Sequence, residues 1–458
     1  MRFERAVVLG GGLAGMLAAA ALARHCTTVT IVERDRYPDG PAVRQGTPQA
    51  HHAHLLMEAG ARAIDDLVPG ALDALYSAGA RKIGLPEDVL AFTQHGWQTR
   101  FPASHFLVSC SRPLLDQIVR RAVLGNDRIV LRTAVEATKL LGDASRVTGA
   151  ELRSESGAEL ITADFLVDAT GRASRTRSWL LRMGLPPVKG ETVDSGLAYA
   201  TRVFRAPDDV RDTFPLITVM ADPESPEPGR NGVLLPVEDG RWIVTVSGTR
   251  GAEPPSSEED FLEFARGLRH PLIADVTVGA EPLGGIHFSR STVNRRLHYG
   301  SSQRWPEGIV VAGDALAAFN PIYGHGMSCA AMGAKRLDTV LESCPDDTGV
   351  TKEAQRAISL AARDAWVLAT GQDLRYPGVR SQGFEIPTSE PSGTSDKVAR
   401  LSLVNPAVSA AVYAVNTLTA APSSLNAAEI VAAAREPIPE PPAAPPAKSW
   451  ELGTAVAG

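Results

Sequence analysis

Gly10, Gly12 and Gly15 form a Gly-x-Gly-x-x-Gly turn between the apolar run Ala6-Val7-Val8-Leu9 and an Ala/Leu-rich segment over residues 13–24. That pattern predicts a strand turning sharply into a helix. The first glycine permits the tight turn, the second lets backbone approach a pyrophosphate, and the third lets helix and strand pack closely. A second strand-like run over residues 28–32 ends at Glu33, which completes a βαβ unit with an acid at its tip. The helix start offers free N–H groups and partial positive charge to phosphates, and Glu33 can accept hydrogen bonds from an adenosine ribose. An acid at that point disfavours a 2′-phosphate, so FAD or NAD fits better than NADP.

The 458 residues suffice for two or three domains, and 44% hydrophobic with 21% charged residues is ordinary for a packed fold. A formal charge of −6 without a dense Lys/Arg block gives no attraction for phosphate backbones, so nucleic acid is not an expected partner. Cys26, Cys110, Cys329 and Cys344 show no CxxC spacing, which indicates neither a zinc site nor a disulfide framework but buried thiols in a reducing cytoplasm. The first strand begins within a few residues of Met1, leaving no room for a signal peptide. The apolar stretch 401–421 is broken by Asn405-Pro406 and Asn416, so no integral membrane segment is expected and the protein reads as soluble and cytoplasmic.

Further along, helical patterns occupy residues 55–67 and 113–124, and short alternating runs at 135–141, 147–152 and 159–161 predict an antiparallel meander. A buried strand at 165–167 leads into Asp168-Ala169-Thr170-Gly171-Arg172, followed by a helix carrying Trp179. Residues 195–288 are rich in β-like segments; Ser256 with Glu259 matches a capping box before the helix at 261–268. A third buried strand, 308–312, runs into Gly313-Asp314 and then a Gly/Pro-rich loop before a long helix from Gly326. The expected organisation is a discontinuous Rossmann-like FAD-binding domain over 1–75, 105–190 and 290–345, and a β-rich substrate domain over 76–104 and 191–289. A C-terminal helical region over 346–435 and a disordered Pro/Ala-rich tail over 436–458 complete it, in an α/β fold class.

FAD is favoured over NAD by the third strand. Asp314 falls immediately after it, where a carboxylate can hold the ribityl hydroxyls of an extended flavin. The loop Asn320-Pro321-Ile322-Tyr323-Gly324-His325-Gly326-Met327 opens a helix whose first N–H groups can stabilise negative charge on a reduced flavin.

These three elements, Gly10-Gly11-Gly12-Leu13-Ala14-Gly15 with Glu33, Asp168 to Arg172, and Gly313 to Met327, resemble the flavin-binding signatures of glutathione-reductase-type FAD monooxygenases. A narrower resemblance, to the bacterial polyether-ionophore epoxidases, rests on the run from Arg44 to His54, Gly96-Trp97-Gln98-Thr99-Arg100-Phe101-Pro102, residues 239–248 and residues 291–297. The resemblance implies FAD contacts at Gly10, Gly12, Leu13, Ala14, Gly15, Glu33, Arg34, Arg44, Arg112, Val135, Thr170, Gly171, Gly313, Asp314, Pro321, Gly324, Gly326 and Met327. Guanidinium forks at Arg44 and Arg112 suit pyrophosphate oxygens, although a salt bridge explains Arg44 equally well.

His51-His52-x-His54 invites comparison with a metal site, yet no Cys/His/carboxylate set at ligand spacing accompanies it, so no metal is expected. No second Gly-x-Gly-x-x-Gly follows, so electrons would come from NAD(P)H directly or through a separate flavin reductase, with O2 as co-substrate. The resemblance implies epoxidation of a polyene polyketide through a C4a-hydroperoxide of the flavin, which requires no catalytic side chain, and none is assigned. Aromatic hydroxylation and flavin-dependent reduction are the enzymatic alternatives, and a nucleotide-bound scaffold is the non-enzymatic one.

Overall fold

The computed structural model describes residues 2–344, 349–384, 393–448 and 450–452. Its centre is a five-stranded parallel sheet made of β1 (Phe3–Leu9), β2 (Cys26–Glu33), β3 (Ile129–Thr133), β4 (Phe165–Asp168) and β5 (Ile309–Val311). The order across the sheet is β5-β4-β1-β2-β3, and every adjacent pair is parallel. Sheets of this kind are covered on both faces, which is why β4 and β5 are apolar and buried along nearly their whole length. Between and after the strands run α1 (Leu13–Leu22), α2 (Arg112–Leu124) and α3 (Gly326–Ser343). Helix α1 is buried on almost all sides, packed against both α2 and α3, so its Ala/Leu composition is that of a core helix. The mixed α/β architecture is Rossmann-like, as the glycine turn and the three apolar runs predict.

The predicted meander is an antiparallel sheet of Glu136–Gly142, Val147–Ser154 and Gly157–Thr162. A seven-stranded sheet is built from His287–Ser289, Ala198–Arg205, Arg241–Gly248, Arg230–Val237, Leu216–Val219, Val89–Thr93 and Gly96–Trp97, in that order. Phe204, Trp242 and Phe261 fill a core that includes residues of the helices Glu258–Arg266 and Leu272–Thr277. A second apolar layer, with Leu235 and Ile243 buried, gathers Ala53, Leu55 and Tyr413 against it. Residues 76–104 are shared between two sheets, because Arg81–Leu85 pairs with His105–Ser109 beside Leu55–Met57 while Val89–Thr93 edges the large sheet. A four-stranded sheet ties Gly190–Asp194 to Asn294–Leu297 and to Arg380–Gln382, so the C-terminal region contributes a strand as well as helices α4 (Arg363–Asp373) and α5 (Pro406–Asn416).

Two expectations are corrected. The helix Glu258–Arg266 starts one residue later than the capping box requires; Ser257 precedes it, and its hydroxyl donates to the Asp260 carboxylate at 2.5 Å instead of accepting from the backbone. Of the Pro/Ala-rich tail expected over 436–458 to be disordered, residues 436–448 and 450–452 are placed and reach the large sheet, and the others lie outside the described residues. A Cβ on Gly96 would lie 3.0 Å from Pro441, and Ala447 and Leu452 pack on the sheet's core. Glu451 is buried and forms a two-pronged ion pair with Arg100, one arm at 2.8 Å. A segment without period carries no sequence signal for this, but proline loses little entropy on ordering and one buried pair supplies an anchor.

Asn405 interrupts the apolar stretch 401–421 as expected, and its side chain caps α5 by accepting from the Ala407 and Val408 N–H groups at 3.0 and 3.1 Å. Among the described residues no single helix is long and apolar enough to cross a membrane; the bent pair Ser395–Ser402 and Pro406–Asn416, at 111°, reaches that length only together.

The Arg100–Glu451 pair makes the tail's contribution measurable. Glu451→Gln should lower unfolding free energy by about 3 kcal/mol, since it strands a buried guanidinium. Urea denaturation reads this directly, and an unchanged midpoint would mean that the tail is not anchored there.

Candidate functional site

At the carboxyl ends of β1, β4 and β5 lies one elongated cleft, enclosing about 1160 Å³ including its open mouth. Ligands of open α/β sheets bind at this edge because the strand-to-helix turns converge there. Of the residues predicted to contact FAD, the cleft wall contains Gly10, Gly12, Leu13, Ala14, Glu33, Arg34, Arg44, Arg112, Val135, Thr170, Gly171, Gly313, Asp314, Gly326 and Met327. Gly15, Pro321 and Gly324 lie outside it. Gly15 works from behind, where a Cβ would sit 1.8 Å from the Gly10 carbonyl oxygen, so any side chain there separates α1 from β1. Pro321 belongs to the turn Pro321–Tyr323, and Gly324, at φ +69°, backs onto Leu55 and Met57.

The glycine turn is set by contacts that only small residues allow. Gly10 takes φ +96° with the Ala169 carbonyl beneath it, which joins the first turn to the Asp168 segment. Gly12 is different: a Cβ there would meet only Arg44 Nη2, at 3.7 Å, and one on Gly326 would meet nothing within 4 Å. Both positions open into the cleft, at the start of α1 and of α3, and neither helix start has a side-chain cap. Two sets of first-turn N–H groups therefore face one space, which Asp314 also lines. This cradle fits a long, twice-anchored dinucleotide such as FAD.

Glu33 is buried, and its carboxylate already accepts the Gly11 N–H at 2.7 Å and the Asp35 N–H at 3.0 Å. Arg44 lies 3.2 Å from Glu33 and 3.0 Å from Asp35, and stacks on Tyr37, whose hydroxyl donates to the Gly11 carbonyl at 2.6 Å. The salt bridge considered for Arg44 thus forms part of the cleft wall itself. Nearby charge counters the desolvation of this guanidinium and holds it firmly charged. Arg112 pairs with Asp116 at 2.8 Å one turn along α2, where Ser111 caps the helix by accepting from the Leu114 N–H.

Asp314 opens onto the cleft, with 43% of its side chain exposed there and Arg172 Nε at 3.9 Å. The surrounding protein pushes its carboxyl up while Arg172, Arg112 and Arg295 pull it down. Arg172 is fixed by donating to the Val293 and Phe319 carbonyls, both at 3.0 Å, and Arg295 reaches the Asp314 carbonyl at 3.1 Å. Asp168 is fully buried and accepts from the hydroxyls of Thr170, Ser174 and Thr176, so it braces the turn and does not line the cleft.

Sequence reasoning missed Thr47, Gln49, Glu136, Ala173, Arg175 and Trp179, all of which line the cleft. Glu136 directly follows Val135, and the helix after Asp168 to Arg172 carries Trp179, so adjacency to assigned residues was the available signal. The histidine run packs against the large sheet: His52 Nδ1 is 2.8 Å from Thr201 Oγ1, which contacts Thr245 at 2.7 Å, and His51 stacks on His287 at 3.7 Å. His54 Nδ1 lies 2.8 Å from the His52 carbonyl. Among the described residues no group of three or more His, Cys, Asp or Glu is arranged to hold a metal ion. Burial, with neighbouring imidazoles, pushes His52 down to about 3, and burial pushes His325 down to about 4.

The family description "FAD dependent oxidoreductase" matches residues 6–176. Protein Rv3254 of Mycobacterium tuberculosis (strain ATCC 25618 / H37Rv) is 31% identical over 390 residues, which is 81% of this chain and 81% of that protein. Kynurenine 3-monooxygenase of Salinispora tropica is 27% identical over 433 residues, covering 87% of this chain and 85% of its own length. The solved structure of flavin-dependent brominase Bmp2 superposes with a TM-score of 0.63 at 15% identity, covering 94% of this chain and 96% of that one, a likeness of fold alone.

Two predictions follow from this geometry. Gly12→Ala should leave thermal stability within about 2 °C yet weaken FAD binding at least about tenfold, because its methyl occupies the phosphate approach. Gly15→Ala should cost several degrees, having no room beside Gly10; thermal melts with flavin titration separate the two, and the reverse pattern would refute this assignment. The histidines predict acid lability. Because His52 and His325 stay neutral in the fold while an unfolded histidine titrates near about 6.5, the unfolded state binds more protons below that pH. Stability should be full above pH of about 6.5 and fall as pH drops toward about 4, and His52→Gln should flatten this slope between about 6.5 and 5, above the carboxylate range. Identical melting profiles for the two proteins would exclude His52.

Proposed function

Because the chain belongs to the FAD-dependent oxidoreductase family, as an FAD-dependent monooxygenase, we propose that it adds one oxygen atom from O2 to alkenes of a hydrophobic polyene polyketide, forming epoxides in polyether biosynthesis. Electrons are taken from NAD(P)H, directly or through a separate flavin reductase. FAD, when bound, supplies the activation of O2 by reduced flavin, which is the whole of the bond-making chemistry.

The chain's own residues bind, orient and exclude water. The glycine turn and the start of α1 hold the pyrophosphate, Glu33 accepts from the ribose with its remaining lone pair, and Asp314 accepts from ribityl hydroxyls. The first N–H groups of α3, at Gly326 and Met327, stabilise negative charge on the ring without moving a proton. The single observation that carries the flavin reading is the meeting of three strand ends and two uncapped helix starts in one cleft. Alkene epoxidation is favoured because it needs no protein base, and side chains as apolar as Ala53 and Leu55, packed beside the large sheet, match the character of a polyene.

A second reading is aromatic hydroxylation. It draws on the likeness to the kynurenine 3-monooxygenases of Salinispora tropica and Salinispora arenicola, at 27% and 26% identity. Purified protein supplied with reduced FAD, O2 and either a polyene or a phenol distinguishes the two by product mass. One oxygen gained per alkene is the expected result; oxygen on the ring alone would replace epoxidation by hydroxylation, and gain of two hydrogens would remove oxygen transfer altogether.

A further inference from the structure

Asp373 closes α4 and is fully buried. Its carboxylate accepts from Asn294 Nδ2 at 2.6 Å, from Asn320 Nδ2 at 3.1 Å and from the Tyr323 hydroxyl at 2.7 Å. Ser195 supplies a further hydrogen bond. All four partners are neutral, and Arg375, two residues on, is directed to Glu224 at 3.0 Å. Asn294 and Asn320 are themselves fully buried and joined, the Asn320 N–H donating to Asn294 Oδ1 at 2.7 Å. The Asn320 side chain also caps the turn Pro321–Tyr323 by accepting the Ile322 N–H at 3.3 Å.

A carboxylate deprived of water is costly unless its lone pairs are filled, so donors gathered around it are held in one arrangement. Here two of them, Asn320 and Tyr323, bracket the turn that leads through Gly324 and His325 into α3. That helix start has no side-chain cap, so the direction of its first N–H groups depends on the turn before it. Tyr323 and Asn320 do not line the cleft; Gly326 and Met327 do. The C-terminal region thus reaches the cleft through hydrogen bonds and not through a wall residue.

We propose that Asp373 is a positioning residue that sets the 320–326 turn and thereby aims the start of α3 at the flavin ring. The proposal rests on the FAD reading of the cleft. It gives the buried charge a local task at one end of the ligand and none at the other, where Glu33 would meet the adenosine ribose. A carboxylate serving only general stability would affect both ends alike.

The test compares FAD with ADP, which lacks the flavin half. Asp373→Asn and Tyr323→Phe are titrated as flavin-free protein with each ligand, and amide exchange of residues 322–328 is followed without any ligand. Asp373→Asn should weaken FAD about tenfold and Tyr323→Phe about threefold, the loss of hydrogen bonds to a charged acceptor, while ADP affinity stays within about twofold. Exchange over 322–328 should quicken in both. Parallel loss of FAD and ADP, or wild-type exchange rates in both variants, overturns the proposal. Should Asp373→Asn fail to fold, Tyr323→Phe carries the same comparison. A wild-type chain that takes up ADP but no FAD would end the flavin reading instead, and the exchange rates, measured without flavin, would still decide whether Asp373 holds the turn.

Discussion

Parallel pairing of β1 with β4, and of β4 with β5, holds together three segments that lie more than a hundred residues apart in the chain. Parallel strands all end at the same edge, so their following turns must meet there. The cleft is a consequence of that register: Gly10, Thr170 and Gly313 are adjacent because Leu9 pairs with Asp168 and Asp168 with Val311. The close seating of Gly15 on Gly10 then fixes how near α1 approaches the edge. Disturb this and the two uncapped helix starts no longer open into one cleft.

Around that edge the protein places charge in opposed pairs instead of leaving an open positive patch. Glu33, Asp35 and Arg44 form a buried set beside Tyr37, while Asp314 faces Arg172, Arg112 and Arg295. Buried pairs add little net stability, because desolvation offsets most of their attraction. Their effect is to fix orientation. Arg44 keeps the 44–49 segment over the glycine turn, and Arg172, tied to Val293 and Phe319, links the Asp168 turn to the Asp314 turn.

What was legible in the sequence was local. The glycine turn, the meander, the two later buried strands and the proline-led helix α2 each carry their period or cap within a dozen residues, and each formed where expected. Element boundaries depend on finer choices: Ser256 with Glu259 matches a capping box, but the helix takes Ser257 as its border. Contacts across long stretches of chain left no signal. Asp373 meets Asn294 across 79 positions, Arg100 meets Glu451 across 351, and His52 meets Thr201 across 149. Even where a residue stands in a noticed run, as His52 and Arg100 do, nothing in that run names its distant partner.

The same distinction explains how one fold accommodates distant relatives. Strand ends and helix starts contribute backbone to the cleft wall, which stays open at Gly12 and Gly326 because no side chain stands there. Such geometry belongs to the fold, which is shared with the brominase Bmp2 at a TM-score of 0.63 and 15% identity. The apolar layer beside the large sheet has no comparable backbone rule. It is made of side chains such as Leu55 and Tyr413, and the turn before α3 is braced from behind by Asp373. Geometry near the glycines is therefore fixed by backbone and that of the apolar layers by side chains, so the fold alone does not set what the protein acts on.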